Sequence, residues 1–143
     1  MNLDPSRLLA LSAAAQLLFS SLLGVFMLVL MQPWGQAFAR RAPRLRDLGS
    51  AHLDWIVLAL MQFGAAYALG CFPVPRAMLA AVLLVIGGWL NPLPYIARGL
   101  GINAFVLGGG RKQIAFALLG ALSSAAIVAG WGMILTAMIG SLA

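Results

Sequence analysis

Apolar positions fill four long, almost unbroken stretches of the chain, at about residues 8–31, 51–69, 77–96 and 114–139, and polar side chains gather between them. Each stretch is close to the ~20 residues that an α-helix needs to cross ~30 Å of hydrocarbon. The pattern has neither the strict alternation of a half-buried strand nor the narrow apolar stripe of a soluble amphipathic helix. It predicts an all-α fold, a single integral membrane domain of four helices. The breaks suit that division: Gln32-Pro33-Trp34-Gly35 closes the first stretch, Gly70 to Pro75 the second, and Gly108-Gly109-Gly110 precedes the fourth. The first stretch carries one arginine ahead of about 24 residues, too long for the apolar core of a secretory signal, and reads as a retained helix. No internal repeat, low-complexity tail or soluble domain is expected.

Within the stretches the few small and polar residues are spaced by helical turns. Ser12, Gln16, Ser20 and Gly24 recur every fourth residue in the first, and Gly120, Ser124, Gly132, Thr136 and Gly140 mark the fourth. Apolar contact between helices gains nothing over lipid, so such stripes should face protein, where close backbone approach and hydrogen bonds drive association. Their number also suits self-association.

Composition fixes the solvent: 63% of residues are apolar, 8% are charged, and mean hydropathy is +1.01. Membrane lipids are therefore the surroundings. A net charge of +6 raises the question of nucleic acid, but its distribution points to topology. Arg40, Arg41, Arg44 and Arg46 lie in the first loop and Arg98, Arg111 and Lys112 in the third, leaving only Arg7 and Arg76 elsewhere. The positive-inside rule places loops one and three in the cytoplasm, with the chain in a bacterial-type inner membrane. Anionic headgroups account for the arginine cluster without nucleic acid. A single cysteine, Cys71, excludes an internal disulfide or a CxxC site.

The lone histidine, His52, opens the second stretch, in Gly49-Ser50-Ala51-His52-Leu53-Asp54-Trp55. An imidazole at the edge of lipid asks for a ligand, a proton or a carboxylate partner. The third stretch ends with Trp89-Leu90-Asn91-Pro92-Leu93-Pro94-Tyr95. Antiparallel succession brings both segments to one side of the membrane, so His52, Asn91 and Tyr95 are expected around a shared cavity, in a helix loosened by Pro92 and Pro94. A plainer reading makes Trp89 and Tyr95 interfacial anchors, Asn91 an interhelical bond, and His52 a partner of Asp54 or of a lipid phosphate. One histidine without other ligands cannot hold zinc, yet it suffices for a haem, whose porphyrin supplies four nitrogens.

These residues carry a resemblance. The chain resembles the small four-helix membrane isomerases that include styrene oxide isomerase and, more distantly, hydroxylaminobenzene mutase. The shared pattern is an Ala-His pair opening helix two, here Ala51-His52, and a Trp-x-Asn-x-x-x-Tyr run in helix three, here Trp89, Asn91 and Tyr95. The resemblance implies a homotrimer with haem b between protomers. His52 would be the axial metal ligand, Trp55 and Trp89 would lie beside the cofactor, and Asn91 and Tyr95 would be the catalytic pair. The activity it implies is the redox-neutral opening of a small apolar epoxide to a carbonyl product, with ferric haem as Lewis acid. One position departs. The family usually has an asparagine followed by glycine six residues after the histidine, where this chain has Leu58 and Ala59. Gln62, one turn on and offset by about 40°, is the nearest amide. The competing readings are a haem-binding module without catalysis and a cofactor-free structural or transport subunit.

Overall fold

The computed structural model describes residues 4–35, 44–106 and 108–142, and all regular structure in it is helical. The helices are α1 (Pro5–Met31), α2 (Leu45–Cys71), α3 (Ala77–Leu90), α4 (Leu93–Gly99) and α5 (Arg111–Gly140). Because α4 continues α3 after a two-residue break, the chain has four segments long and apolar enough to cross a membrane, the third being Ala77–Gly99.

Several helix ends follow from local chemistry. Asp4 caps α1 by accepting from the Arg7 amide at 3.3 Å, with Pro5 in the first turn, where its missing N–H costs nothing. The α3 helix stops because Pro92 and Pro94 cannot donate to the carbonyls of Gly88 and Leu90. At the end of α4, Gly101 takes φ +87°, a conformation open to glycine, while Ile102 N–H returns to the Ala97 carbonyl at 2.9 Å and Gly101 N–H to that of Arg98 at 3.0 Å. The Gly110 amide, just ahead of α5, donates to Gln113 Oε1 at 3.0 Å.

The second helix begins six residues before the apolar stretch that announces it. Its first two turns carry Arg46, Asp47 and Ser50, polar enough to escape a hydropathy reading. They are held by tertiary bonds: Arg44 N–H donates to the Gly99 carbonyl at 3.0 Å, and buried Asp47 takes Arg98 Nη2 at 2.6 Å and Nε at 2.7 Å. Asp47 also sits favourably at the positive end of the helix dipole. His52 therefore lies about two turns inside α2, not at its mouth.

The bundle is polar and small inside, large and apolar outside. Leu18, Leu22, Val57, Leu60, Leu122 and Val128 are exposed, whereas Ser12, Gln16, Ser20, Gln62 and Ser123 are buried. That inversion suits lipid, which competes for leucine but not for a hydroxyl. The core at the end away from His52 combines Leu9, Leu84 and Ile134 with Ala65, Ala68, Ala80 and Ala81. Alanine there lets α1, α2, α3 and α5 approach closely. Between α3 and α5 the approach depends on glycine: a Cβ at Gly87 would stand 2.8 Å from the Ser123 carbonyl, and one at Gly130 2.8 Å from Leu84 Cγ.

Gly87→Val and Gly130→Val should each lower stability by about 1–3 kcal/mol, the usual cost of overpacking. Gly132, whose Cβ would meet nothing within 4 Å, is the control: Gly132→Ala should stabilise by about 0.5–1 kcal/mol. Thermal melts in one detergent read all three.

Candidate functional site

The inward face of α2 near its start presents His52 to α1. His52 Nδ1 lies 2.8 Å from the Ser20 carbonyl oxygen and 2.8 Å from Ser20 Oγ, while Ser20 Oγ donates to the His52 carbonyl at 2.8 Å. A carbonyl can only accept, so Nδ1 carries a proton, and in the neutral form of the ring the lone pair is then on Nε2. No described residue bonds Nε2. Gly24, one turn beyond Ser20, makes room: a Cβ there would stand 3.1 Å from His52 Cε1. The four-residue stripe on α1 thus includes the seat of the imidazole.

His52 and Asp54 are two residues apart and so about 200° apart around α2. They cannot share a partner, and the pairing of His52 with Asp54 considered from sequence does not occur. Asp54 faces the end of α3 instead, where its Oδ2 accepts from Asn91 Nδ2 at 2.9 Å. Asn91 Oδ1 in turn faces α5, with Ser124 Oγ at 3.0 Å and Ser123 Oγ at 3.2 Å. Three spans are joined by one amide.

Beyond Asn91 the chain turns through Pro92, and Tyr95 emerges on α4 against Phe105, ring centres 5.0 Å apart, with the Arg98 guanidinium 4.8 Å from the Phe105 ring centre. Asn91, Tyr95, Phe105, Gly120 and Ser124 help to line a cavity of ≈ 360 Å³. A larger, more open cavity of ≈ 720 Å³, lined in part by Pro73, Arg76 and Thr136, lies at the other end of the bundle.

The structure therefore brings Asn91 and Tyr95 to one cavity and leaves His52 off its wall, on the α1 side of α2. The antiparallel argument gives the right level in the bundle but not the right side of the helix. Trp55 is buried and Trp89 half-buried. Trp55 is 3% exposed and meets Phe19 edge-on at 4.7 Å, and Trp89 Nε1 donates to Ser12 Oγ at 3.1 Å. Both indoles tie α1 to its neighbours. Gln62, the nearest amide to the departing position Leu58, is buried and donates to the Leu84 carbonyl at 3.1 Å. Its amide is turned to α3, and Gly88 gives it room there.

Three contributors escaped the sequence reading: Ser20 and Gly24 as the seat of His52, and Asp54 as the partner of Asn91. The signal for the first two was present in the α1 stripe; for Asp54 there was only its place on the helical wheel. Among the described residues no three His, Cys, Asp or Glu side chains come together. Comparison with family models, curated proteins and solved structures finds no match to this chain.

Because His52 is the only histidine, selective ¹⁵N labelling yields one imidazole. In the neutral form of the ring its spectrum should show a protonated Nδ1 and an unprotonated Nε2. Ser20→Ala should keep that tautomer, since the backbone carbonyl remains as acceptor.

Proposed function

We propose that this chain is a membrane haem b protein with His52 as axial ligand, acting as a redox-neutral isomerase of a small apolar epoxide. The observation that carries the reading is the Nδ1 bond to the Ser20 carbonyl, which leaves Nε2 as an uncommitted lone pair on a half-buried ring. That is the donor set an axial imidazole presents: one nitrogen free for iron, the other hydrogen-bonded to fix orientation and raise basicity. The residues present fit the group in this respect. When bound, ferric haem supplies a Lewis-acidic iron able to polarise an epoxide oxygen.

The chain's own contribution is positional. Ser20 holds the imidazole in one tautomer, and Gly24 leaves space for the ring. Asn91 and Tyr95 line a mostly apolar cavity in which hydrogen-bond donors to a substrate oxygen count for more than in water. Since His52 and the cavity lie on different sides of α2, the reading includes a second copy of the chain, whose cavity would complete the site. A homotrimer, as the resemblance implies, provides such neighbours. Topology with loops one and three in the cytoplasm belongs to the same proposal, supported by the clustering of Arg44, Arg46 and Arg98 around pockets at one end of the bundle.

The same separation favours a second reading, a haem-binding module without epoxide chemistry, because His52 is not among the described residues that line the cavity. The two are distinguished by one preparation. Detergent-purified protein, made with haem available, should show a ferric Soret band that His52→Ala abolishes and Gly24→Val weakens. With the band present, turnover of styrene oxide without reductant, lowered about 10²-fold or more by Asn91→Leu, supports the isomerase. A Soret band without turnover across an epoxide panel selects the module, and a colourless preparation overturns both.

A further inference from the structure

Where α2 begins, two guanidiniums border a common space. Arg44 and Arg98 line a cavity of ≈ 390 Å³ with Gly101 and Asn103, and both also line a second, of ≈ 420 Å³, with Arg46 and Asp47. Only the second has a carboxylate on its wall. In the first, the charged side chains are both cations and Asn103 adds an amide.

Arg98 is built into this wall. Its Nε and Nη2 hold Asp47 Oδ1 at 2.7 and 2.6 Å, and its guanidinium carbon lies 5.5 Å from the Tyr95 ring centre and 4.8 Å from that of Phe105. A fork already held by a carboxylate and two rings loses little further freedom when it binds, and no described residue bonds Nη1. Asp47 offsets much of the Arg98 charge, so Arg98 serves as an oriented donor and exposed Arg44, outside that pair, as the cation.

The backbone here also suits an anion. The last carbonyls of a helix carry negative partial charge. In α4 those of Ile96, Ala97, Arg98 and Gly99 accept from the amides of Leu100, Ile102, Gly101 and Arg44 at 3.0, 2.9, 3.0 and 3.0 Å, so each already has a donor. Beside the cations the surface turns apolar: Leu100, next to Gly101, and Phe105, against Arg98, are exposed. A soluble anion gains nothing from them, whereas an acyl chain does.

We propose that Arg44, Arg98 and Asn103 form a binding site for the phosphate of an anionic phospholipid, whose acyl chains run past Leu100 and Phe105. The site joins the start of α2 to the end of α4, the junction that the Asp47–Arg98 pair also closes, so its occupancy should stabilise the bundle. The inference rests on the helices spanning a membrane and not on haem at His52.

A diffuse basic surface attracts the same lipids by charge alone. Position separates the two cases. Arg111, exposed at the start of α5, carries the same charge as Arg44 and lines neither cavity. The probe is dioctanoyl phosphatidylglycerol, titrated into the full chain in a neutral detergent. Arg44→Gln should weaken its binding about fivefold or more, the worth of one arginine beside an anionic surface, and Arg111→Gln should leave it within about twofold. Asn103→Leu removes no charge and should weaken it about fivefold, as one hydrogen bond would. Arg98 is left in place, because its loss would strand the buried Asp47 carboxylate.

Two further probes identify the source of the phosphate. Glycerophosphoglycerol, the same headgroup without chains, should bind about tenfold or more weakly than the lipid, and dioctanoyl phosphatidylcholine, whose own cation offsets its phosphate, should also bind more weakly. Equal losses in Arg44→Gln and Arg111→Gln would reduce the site to a diffuse field and overturn the proposal. Glycerophosphoglycerol binding as tightly as the lipid would give the pocket to soluble phosphates and defeat it equally. Should the variants not fold, wild type decides: with ¹⁵N-asparagine labelling, the side-chain amide of Asn103 should shift on addition of the lipid while that of Asn91, bonded between α2 and α5, stays in place, and an unmoved Asn103 amide counts against the site.

Discussion

A hydrocarbon solvent offers no hydrogen bonds, and this single constraint orders the bundle. Every polar group within the spans must find its partner on a neighbouring helix or on its own backbone, so polarity and contact coincide. Ser20 and His52 join α1 to α2, Ser12 and Trp89 join α1 to α3, Gln62 and the Leu84 carbonyl join α2 to α3, and Asn91 joins α2 to α5. The alanines and glycines of the core follow from the same need, because short hydrogen bonds require close backbones. Exceptions remain among the described residues: fully buried Gln16 has no partner for either amide atom, and Trp55 Nε1, Gln62 Oε1 and Trp131 Nε1 have none.

The constraint also explains why α2 carries two chemistries. Successive polar residues on a helix point to different neighbours, so His52 belongs to α1 while Asp54 belongs to α3 and α5. The imidazole on one side and the Asn91 amide on the other therefore have separate sets of partners. Leu58, buried and apolar, lies on the same helix without coupling them. In the proposed reading a second copy of the chain would bring the two sides to one substrate, and the small-residue faces and exposed apolar surface would serve that association.

Much of the fold was legible from residues alone. Four spans follow from four apolar runs, and the breaks follow from Pro92, Pro94 and the glycines around 108–110. The start of α2 was not legible, because Arg46 and Asp47 look like loop residues until Arg98, far away in sequence, supplies the ion pair that lets them be helical. The candidate site was legible by level and not by direction. His52, Asn91 and Tyr95 are at one end of the bundle as antiparallel order requires, yet rotation about α2 depends on which helix offers the better seat. That is a tertiary choice, made by Ser20 and Gly24 for the ring and by Ser123 and Ser124 for the amide.

The Asp47–Arg98 pair spans 51 positions of chain, with the rest of α2 and all of α3 lying between its members. A ribosome delivers these residues in order, so the carboxylate is made well before its guanidinium exists. Until α4 emerges, the first turns of α2 have neither a charge partner nor the Gly99 carbonyl that receives the Arg44 amide. The first turns of α2 are thus completed only by the third span, whereas the seat of His52, made by Ser20 and Gly24 of α1, precedes it in the chain.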